Sequence, residues 1–509
     1  MSRVQTAYRN SRSVFVYQFT SVFLAFASKK IFVVTMGIAF LGYNAVFTNI
    51  LSALNLAELG IGFAITSFLY RPLAEHDERK VNALLCMYRK IYQFLGIFVL
   101  VIGIIASFFL PLFIKDASHG MPYLRFLFYI NLIGTVSTYY LAYHRTLLIA
   151  NQKNYVTAGI DTVLNVILTV LQIFVMLYIP RYESFLILEL LKSLIGNIII
   201  TILCRKQYPF LSQEPDRAIM AEYKKSVAAF VKDAFFAKIG AYVFYSTDNI
   251  IISIFKGSIL TGFLSNYTMV VNTLQVLITQ MLYSIQAVLG NYIFSVNDKK
   301  LERQMCDHYL YLNYFIGNFS MICMAFLIQP FIELFFGKEY LLADSTAFLL
   351  GINLMLIIIS QMPSQLFSLY QLFRYDKYIV AISAILNIGI SVALVGPLGI
   401  DGVLIGTFVT SLIYIFSRIH IIWNKVFKAS ALYVYGKLFL YFAVTALTAL
   451  IMTPLSRQFQ PVTIVSFILQ SVLTALLALV VPLIIFARTK AEQFLFIKAK
   501  EFLQEKTSS

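Results

Sequence analysis

Apolar stretches long enough to cross a bilayer recur from one end of this 509-residue chain to the other. A membrane-spanning helix needs about 20 mostly apolar residues. The composition agrees, because 60% of the residues are hydrophobic and only 13% are charged, whereas soluble domains are roughly a quarter charged. The sequence therefore predicts an all-α polytopic membrane protein. It excludes an ordinary soluble enzyme, a disordered protein and a secreted disulfide scaffold.

About fourteen transmembrane helices are predicted from the apolar stretches. Their limits are 14–41, 45–70, 90–113, 122–144, 155–179, 184–204, 233–255, 260–290, 309–336, 345–370, 378–396, 401–423, 434–453 and 462–487. The first stretch follows three arginines but is too long for the apolar core of a cleaved signal. We therefore expect it to be a retained first span.

The distribution of Lys and Arg predicts the orientation. With the amino terminus in the cytoplasm, alternating connections place 30 of the 40 basic residues inside and 5 outside, and leave 5 within spans. Connections rich in Lys and Arg stay in the cytoplasm. Both termini are therefore predicted to be cytoplasmic. The net charge of +16 reports mainly on topology and gives no reason to expect a nucleic-acid partner.

Short segments recur at a nearly constant offset, which indicates an internal repeat. The matched segments are 153–156 with 377–380, 164–166 with 386–388, 47–49 with 264–266, and the stretches around Asp77 and Asp298. Six helices per repeat is an even number, so both halves enter the membrane from the same side. We predict a six-helix lobe at 1–204, a cytoplasmic linker at 205–232, a six-helix lobe at 233–423, and two additional helices with a tail at 424–509.

Basic residues inside the predicted spans are the first candidates for a functional site, because a charge in hydrocarbon is costly. Lys29, Lys30, Lys192 and Lys238 could line a wet central cavity and bind an anionic head group, since an ammonium is a compact point charge. Structural alternatives stay open. Lys192 could pair with Glu189 three residues earlier, Lys238 could snorkel to the interface, and only one of the two adjacent lysines need face the cavity.

Three carboxylates also lie within predicted spans. Glu58, Asp161 and Asp248 could couple transport to H⁺ or Na⁺, or could simply pair with neighbouring groups in the cavity. No organic cofactor or metal is expected, and no catalytic residue is assigned. The four cysteines form no CxxC pair and lie near no histidine cluster, so neither a disulfide framework nor a zinc site is predicted.

The region 40–92 resembles the Wzx-type polysaccharide flippases of the multidrug/oligosaccharidyl-lipid/polysaccharide exporter superfamily. The resemblance rests on FLGYN at 40–44, FTNIL at 47–51, LAELGIG at 56–62, LYRPLA at 69–74 and MYRKIY at 87–92. The plan of fourteen spans extends it over the whole chain. It implies two six-helix lobes around a cationic cavity. It also associates basic residues in the middle of the first helix with the head group, which is where Lys29 and Lys30 lie.

The resemblance implies a flippase that moves undecaprenyl-pyrophosphate-linked oligosaccharide repeat units across the bacterial plasma membrane by alternating access. Such a protein would serve O-antigen, capsule or related exopolysaccharide synthesis. Its expected partners are that lipid-linked glycan, membrane lipids, and the polysaccharide polymerase and chain-length machinery. The chain would not be an enzyme.

Two other functions compete with this one. An ion-coupled multidrug antiporter of the same fold would need a cavity dominated by carboxylates, which the adjacent lysines of the first span disfavour. A membrane glycosyltransferase or polysaccharide polymerase would need catalytic groups on a large outer loop, and the predicted outer loops are short. No Walker motif is present, so direct use of ATP is not expected.

Overall fold

The computed structural model describes residues 3–55, 68–114, 119–228, 247–295, 298–370, 372–459, 462–489, 491 and 493. These ranges are helical, with no β-strand in them. The helices of the first half are α1 Arg3–Met36, α2 Ile38–Leu54, α3 68–74, α4 Glu78–Phe108, α5 Leu110–Phe113, α6 Met121–Leu141, α7 Tyr143–Ala150, α8 Asn154–Tyr178, α9 Tyr182–Gln207, α10 217–228 and α11 Asp248–Lys256.

The second half continues with eight helices. They are α12 Ser258–Ser295, α13 Lys299–Phe335, α14 Asp344–Ile359, α15 Gln361–Leu369, α16 Phe373–Leu398, α17 Ile400–Ile421, α18 Leu432–Ser456 and α19 Ile464–Phe486. A π-helical segment, Ile422–Val426, continues α17. Shorter 3₁₀ segments lie at Pro209–Ser212, Lys338–Tyr340 and Arg457–Phe459.

The predicted fold class is confirmed. Within the described ranges, 10 helices are long and apolar enough to cross a membrane, and Ile38–Leu54 is a shorter apolar helix. Each of the fourteen predicted spans overlaps a helix of the structure in whole or in part. The chain is an all-α, multi-pass membrane protein.

The predicted end of the first span is wrong by five residues. That span was expected to run to residue 41, but α1 ends at Met36 and α2 begins at Ile38. Gly37 separates the two helices with φ of 86°. A residue with a side chain rarely adopts this φ, whereas glycine adopts it at little cost. Hydropathy does not detect the break, because apolar residues continue on both sides of the glycine.

A close helix crossing follows directly after this break. A Cβ atom at Gly42 of α2 would overlap the carbonyl group of Ser258, and one at Gly262 would lie 2.9 Å from the carbonyl oxygen of Ile38. The backbones of α2 and of the first turns of α12 are therefore in direct contact. Small residues allow this kind of approach between membrane helices.

The chain divides into two compact units, Met1–Gly262 and Phe263–Ser509. In the first unit α4 packs on α6, α6 on α9 and α8 on α9; in the second, α13 packs on α14, α14 on α17 and α16 on α17. The internal packing order is thus the same in both. The matched residues Asp77 and Asp298 cap corresponding helices, accepting hydrogen bonds from Lys80 N–H at 3.0 Å and Lys300 N–H at 2.7 Å. The predicted lobe and linker limits stay predictions.

The second unit includes the last two helices, because α18 and α19 both pack on α13. A proline inside α13 explains one of these contacts. Pro330 has no N–H, so the carbonyl of Phe326 loses its intrahelical donor. Gln470 of α19 donates its side-chain N–H to that carbonyl at 2.9 Å. Gln470 is buried, so this bond satisfies a backbone group that water cannot reach.

The same exchange occurs in the opposite direction. Pro482 inside α19 leaves the carbonyl of Ala478 without its intrahelical donor, and Asn318 of α13 donates to it at 2.9 Å. Each helix therefore carries a proline that frees a carbonyl and an amide that satisfies the carbonyl freed on its partner. We call this pair of bonds the amide–proline clasp.

Candidate functional site on α9

One face of α9 carries an aromatic pair, a charged pair and a glycine. Tyr182, Phe185, Glu189, Lys192 and Gly196 recur at intervals of three and four residues. Side chains at this spacing lie on one side of a helix. The neighbouring helices α7 and α8 pack against α9. We call these five residues the α9 face.

The amino-terminal end of the α9 face is aromatic and contacts α1. The ring of Phe32 makes edge-on contacts with Tyr182 at 5.6 Å and Phe185 at 4.9 Å between centroids. The hydroxyl of Tyr182 donates to the side-chain oxygen of Asn44 in α2 at 2.9 Å. Edge-to-face rings pack with a defined geometry, so these contacts fix the height of α1 beside α9.

Lys29 lies one turn before Phe32 in α1 and is half-buried. The amide of Asn165 in α8 donates to the hydroxyl of Ser21 in α1 at 2.9 Å. These two residues therefore lie at the same depth on neighbouring helices. Both rise by about 1.5 Å per residue, and both are predicted to run from the cytoplasm outward. Counting forward from this bond places Lys29 at about the level of Gln172 of α8.

Lys30 lies on a different side of α1. It is exposed, as are the side chains of Phe19, Phe23 and Val34. These four positions share one face of an ideal helix. The two adjacent lysines therefore point in different directions, and their head-group roles stay predictions.

The charged pair predicted on α9 is formed. The ammonium of Lys192 lies 3.8 Å from a carboxylate oxygen of Glu189. The side-chain amide of Gln172 donates to Glu189 at 3.1 Å and to the carbonyl of Phe185 at 3.3 Å. Gln172 was not among the predicted site residues, because it carries no ionisable group. An uncharged amide in an apolar span would have been a usable signal.

A second ion pair lies at the carboxy-terminal end of the α9 face, which is predicted to be cytoplasmic. The guanidinium of Arg145 in α7 donates to both carboxylate oxygens of Asp161 in α8, at 2.7 and 2.8 Å. Its Nε donates to the side-chain oxygen of Asn197 in α9 at 2.6 Å. A Cβ at Gly196 would lie 3.3 Å from Nη2 of this guanidinium, so the absence of a side chain there lets Arg145 approach closely.

Arg145 was not predicted as a site residue, because charge counting assigned it to a cytoplasmic connection. In the structure α7 begins at Tyr143, and Arg145 links three helices of the unit. Asp161 thus has a cationic partner, while its predicted role in ion coupling stays a prediction.

Three predicted site residues lie away from the α9 face or outside the described residues. Glu58 and Lys238 lie outside the described residues. Asp248 is the first residue of α11 and is half-buried. A carboxylate in the first turn of a helix interacts favourably with the helix dipole.

The second unit contains a related ion pair, on α17 and α16, which correspond to α9 and α8 in the packing order. Arg418 of α17 donates to a carboxylate oxygen of Asp376 in α16 at 2.9 Å from Nε, and also donates to the hydroxyl of Ser364 in α15. The guanidinium lies over the rings of Tyr414 at 3.9 Å and Phe367 at 5.1 Å. Only 5% of the Arg418 side chain is exposed, compared with 26% for Arg145.

No protein-family model and no curated protein matches this sequence. Solved structures do match. A lipid II flippase, MurJ, in an inward closed conformation superimposes with a TM-score of 0.68 at 17% identity, covering 94% of this chain and 98% of that one. An inward-facing multidrug resistance MATE family transporter gives a TM-score of 0.63 at 13% identity, covering 80% and 97%. The chain has the fold of MOP superfamily transporters.

A third match is a MOP superfamily transporter from Pyrococcus furiosus, with a TM-score of 0.56 at 12% identity over 84% of this chain and 96% of that one. The reversed polarity of its binding pocket is described as suggesting a different function for that protein. The superfamily resemblance seen in the sequence is thus confirmed for the fold, while membership of the Wzx-type flippases stays a prediction.

Proposed function

We propose that this chain is a flippase for undecaprenyl-pyrophosphate-linked oligosaccharide repeat units. The observation that carries the proposal is the position of Lys29 and Lys30 in the interior of the apolar helix α1. Lysine is strongly disfavoured there unless it has a partner or faces water. Ammonium groups at this depth would interact strongly with a diphosphate head group in the cavity. The likeness to a lipid II flippase over almost the whole chain supports the same class of cargo.

The proposed mechanism is alternating access without covalent chemistry. Ammonium groups along a wet cavity offset the cost of taking a diphosphate across hydrocarbon, because charges interact strongly where the dielectric is low. The polyprenyl tail stays in lipid. Movement of H⁺ or Na⁺ would reset the protein, with Glu58, Asp161 and Asp248 as candidate coupling residues.

The proposed setting is a bacterial plasma membrane, with both termini in the cytoplasm. The proposed partners are the lipid-linked glycan, the surrounding lipids, and the polymerase and chain-length machinery of a surface polysaccharide such as O-antigen or capsule. The excess of Lys and Arg on the predicted inner connections supports this orientation.

An ion-coupled multidrug antiporter is the second candidate. The MATE-like fold favours it. The sign of the charge in α1 distinguishes the two functions, because an organic cation needs carboxylates whereas a diphosphate needs ammonium groups.

The decisive experiment measures lipid-linked repeat units in a strain that lacks this gene. We expect them to accumulate in the cytoplasmic leaflet, and we expect the wild-type gene to restore export. Lys29→Ala, Lys30→Ala and the double variant should restore it poorly. Lys206→Ala, at the exposed cytoplasmic end of α9, is the matched control and should restore it fully.

Two results would contradict the proposal. Normal export by the double lysine variant would show that neither ammonium group binds the head group. A deletion strain that becomes sensitive to cationic drugs, while its glycan export is normal, would identify an antiporter instead.

A further inference from the structure

The Arg145–Asp161 pair has the geometry of an exchangeable anion site. Two N–H groups of the guanidinium each hold one carboxylate oxygen, at 2.7 and 2.8 Å. A phosphate offers two oxygens that fit the same planar fork. The third contact, from Nε to Asn197 at 2.6 Å, is made to a neutral amide. That contact can hold the guanidinium in place whichever anion occupies the fork.

The ion pair of the second unit shows how an enclosed guanidinium differs from that of Arg145. Arg418 has 5% of its side chain exposed, and two aromatic rings lie against its guanidinium. Arg145 and Asp161 are 26% and 27% exposed. The carboxylates of the two pairs are similarly exposed, since Asp376 is 26% exposed, so the two pairs differ in whether the guanidinium is enclosed or open. A pair with a purely structural role gains nothing from this exposure, since water weakens its attraction.

We propose that the guanidinium of Arg145 binds the diphosphate head group. Until the diphosphate arrives, the Asp161 carboxylate occupies this binding position. This inference rests on the proposed function and assigns one residue and one coupling step to it. The diphosphate replaces the Asp161 carboxylate on the guanidinium fork. The released carboxylate lies beside a new anion and has lost its cationic partner, so it binds a proton from water. Binding of each diphosphate is thereby linked to the uptake of one proton.

The position of the pair suits a first contact for the head group. Asp161 lies seven residues after the start of α8, about 10 Å along the helix, near the end that is predicted to be cytoplasmic. Lys192 follows one turn further along the α9 face. A head group that enters from the cytoplasm would therefore meet Arg145 before it reaches Lys192 and the level of Lys29.

Other charged and titratable groups lie on the helices packed against Asp161. They include Lys29 and Lys30 on α1, His144 on α7, and Glu189, Lys192 and Arg205 on α9. Four of them are basic side chains, on Lys29, Lys30, Lys192 and Arg205. These basic side chains attract the diphosphate and so favour its binding at the Arg145 guanidinium.

The test measures binding of undecaprenyl pyrophosphate to the purified full-length protein in weakly buffered detergent, with a pH indicator to report proton uptake. Wild type should bind the lipid and take up a proton for each molecule bound. Asp161→Asn should bind at least as tightly with no proton uptake. Arg145→Gln should bind at least tenfold more weakly, a loss of about 1.4 kcal/mol or more.

The double variant R145Q/D161N separates binding from folding, because it removes both charges and retains a pair of hydrogen-bonding amides. It should remain monodisperse with an unchanged Tm, yet bind as weakly as Arg145→Gln. The matched control is R418Q/D376N, which neutralises the pair with the enclosed guanidinium in the second unit and should bind like wild type if it folds.

The inference is overturned if R145Q/D161N binds and takes up protons like wild type, since the pair would then be structural. It is also overturned if Asp161→Asn still takes up a proton. If wild type binds no undecaprenyl pyrophosphate, the proposed function fails as well. If wild type binds and Lys29→Ala weakens binding while Arg145→Gln does not, only the present inference fails.

Discussion

The amide–proline clasp predicts a specific coupling between two residues on different helices. Replacing Gln470 by Leu removes the side-chain N–H that lies 2.9 Å from the carbonyl of Phe326. That carbonyl then has no donor, because Pro330 cannot supply one. A buried, unsatisfied backbone group costs about 1–3 kcal/mol, and hydrogen bonds between membrane helices average about 0.6 kcal/mol with a maximum near 1.7. We expect Gln470→Leu to lower the free energy of unfolding by about 1–1.5 kcal/mol.

The same substitution should cost less when Pro330 is also replaced. In the Pro330→Ala background, residue 330 regains an N–H that can donate to Phe326 within α13. Gln470→Leu should then cost about 0.5 kcal/mol or less, so the coupling between the two positions is about 1 kcal/mol. The measurement is a double-mutant cycle by reversible unfolding of the purified protein in mixed micelles.

The control lies on the same face of α19. Thr474 is buried between the two bonds of the clasp, and its hydroxyl has no hydrogen-bond partner among the residues that the structure describes. Thr474→Val keeps the shape and removes an unsatisfied group, so it should be neutral or slightly stabilising. The reasoning is refuted if Gln470→Leu costs the same in both backgrounds, or if Thr474→Val costs as much as Gln470→Leu.

Three further predictions concern single positions. Gly42→Ala should lower the free energy of unfolding by about 3 kcal/mol, because the new methyl group overpacks against backbone that cannot move. The control Gly436→Ala, whose added Cβ meets no atom within 4 Å, should be neutral or stabilising. Unfolding titrations compare the two variants. Asp77→Ala should cost about 1 kcal/mol at neutral pH through loss of the helix cap. The pKa of Asp77 is lowered chiefly by the hydrogen bond from the Lys80 backbone N–H. The contribution of Asp77 to stability is therefore complete above the usual carboxyl pKa and is lost as the pH falls through the lowered value. Asp77→Asn should flatten this dependence of stability on acid pH. Arg418→Gln should cost about 2 kcal/mol by leaving a partly exposed carboxylate unpaired, and a second substitution, D376N, should restore most of that stability in the same assay.

Hydropathy alone predicted most of the fold, because each span is a local property of about 20 residues. The matched segments around Asp77 and Asp298 also predicted corresponding positions, and the two aspartates cap α4 and α13, which pack in the same way within their units. The break at Gly37 was missed because it depends on a backbone torsion angle and leaves the hydropathy unchanged.

The candidate site was predicted less completely. The pairing of Glu189 with Lys192 follows from helix spacing and is present in the structure. Arg145 was missed, since its partners Asp161 and Asn197 are 16 and 52 residues away along the chain. Contacts of that kind depend on which helices are neighbours, and charge counting does not contain this information.

The clasp also has a consequence for the order in which the protein is assembled. Gln470 follows Phe326 by 144 residues, so α13 enters the membrane long before its donor has been synthesised. Until α19 arrives, the carbonyl of Phe326 must find another donor or remain unsatisfied in hydrocarbon. The last helix therefore completes the backbone hydrogen bonding of a helix inserted much earlier. A chain truncated before residue 464 should leave α13 unfinished, and membrane quality control should recognise it as incomplete.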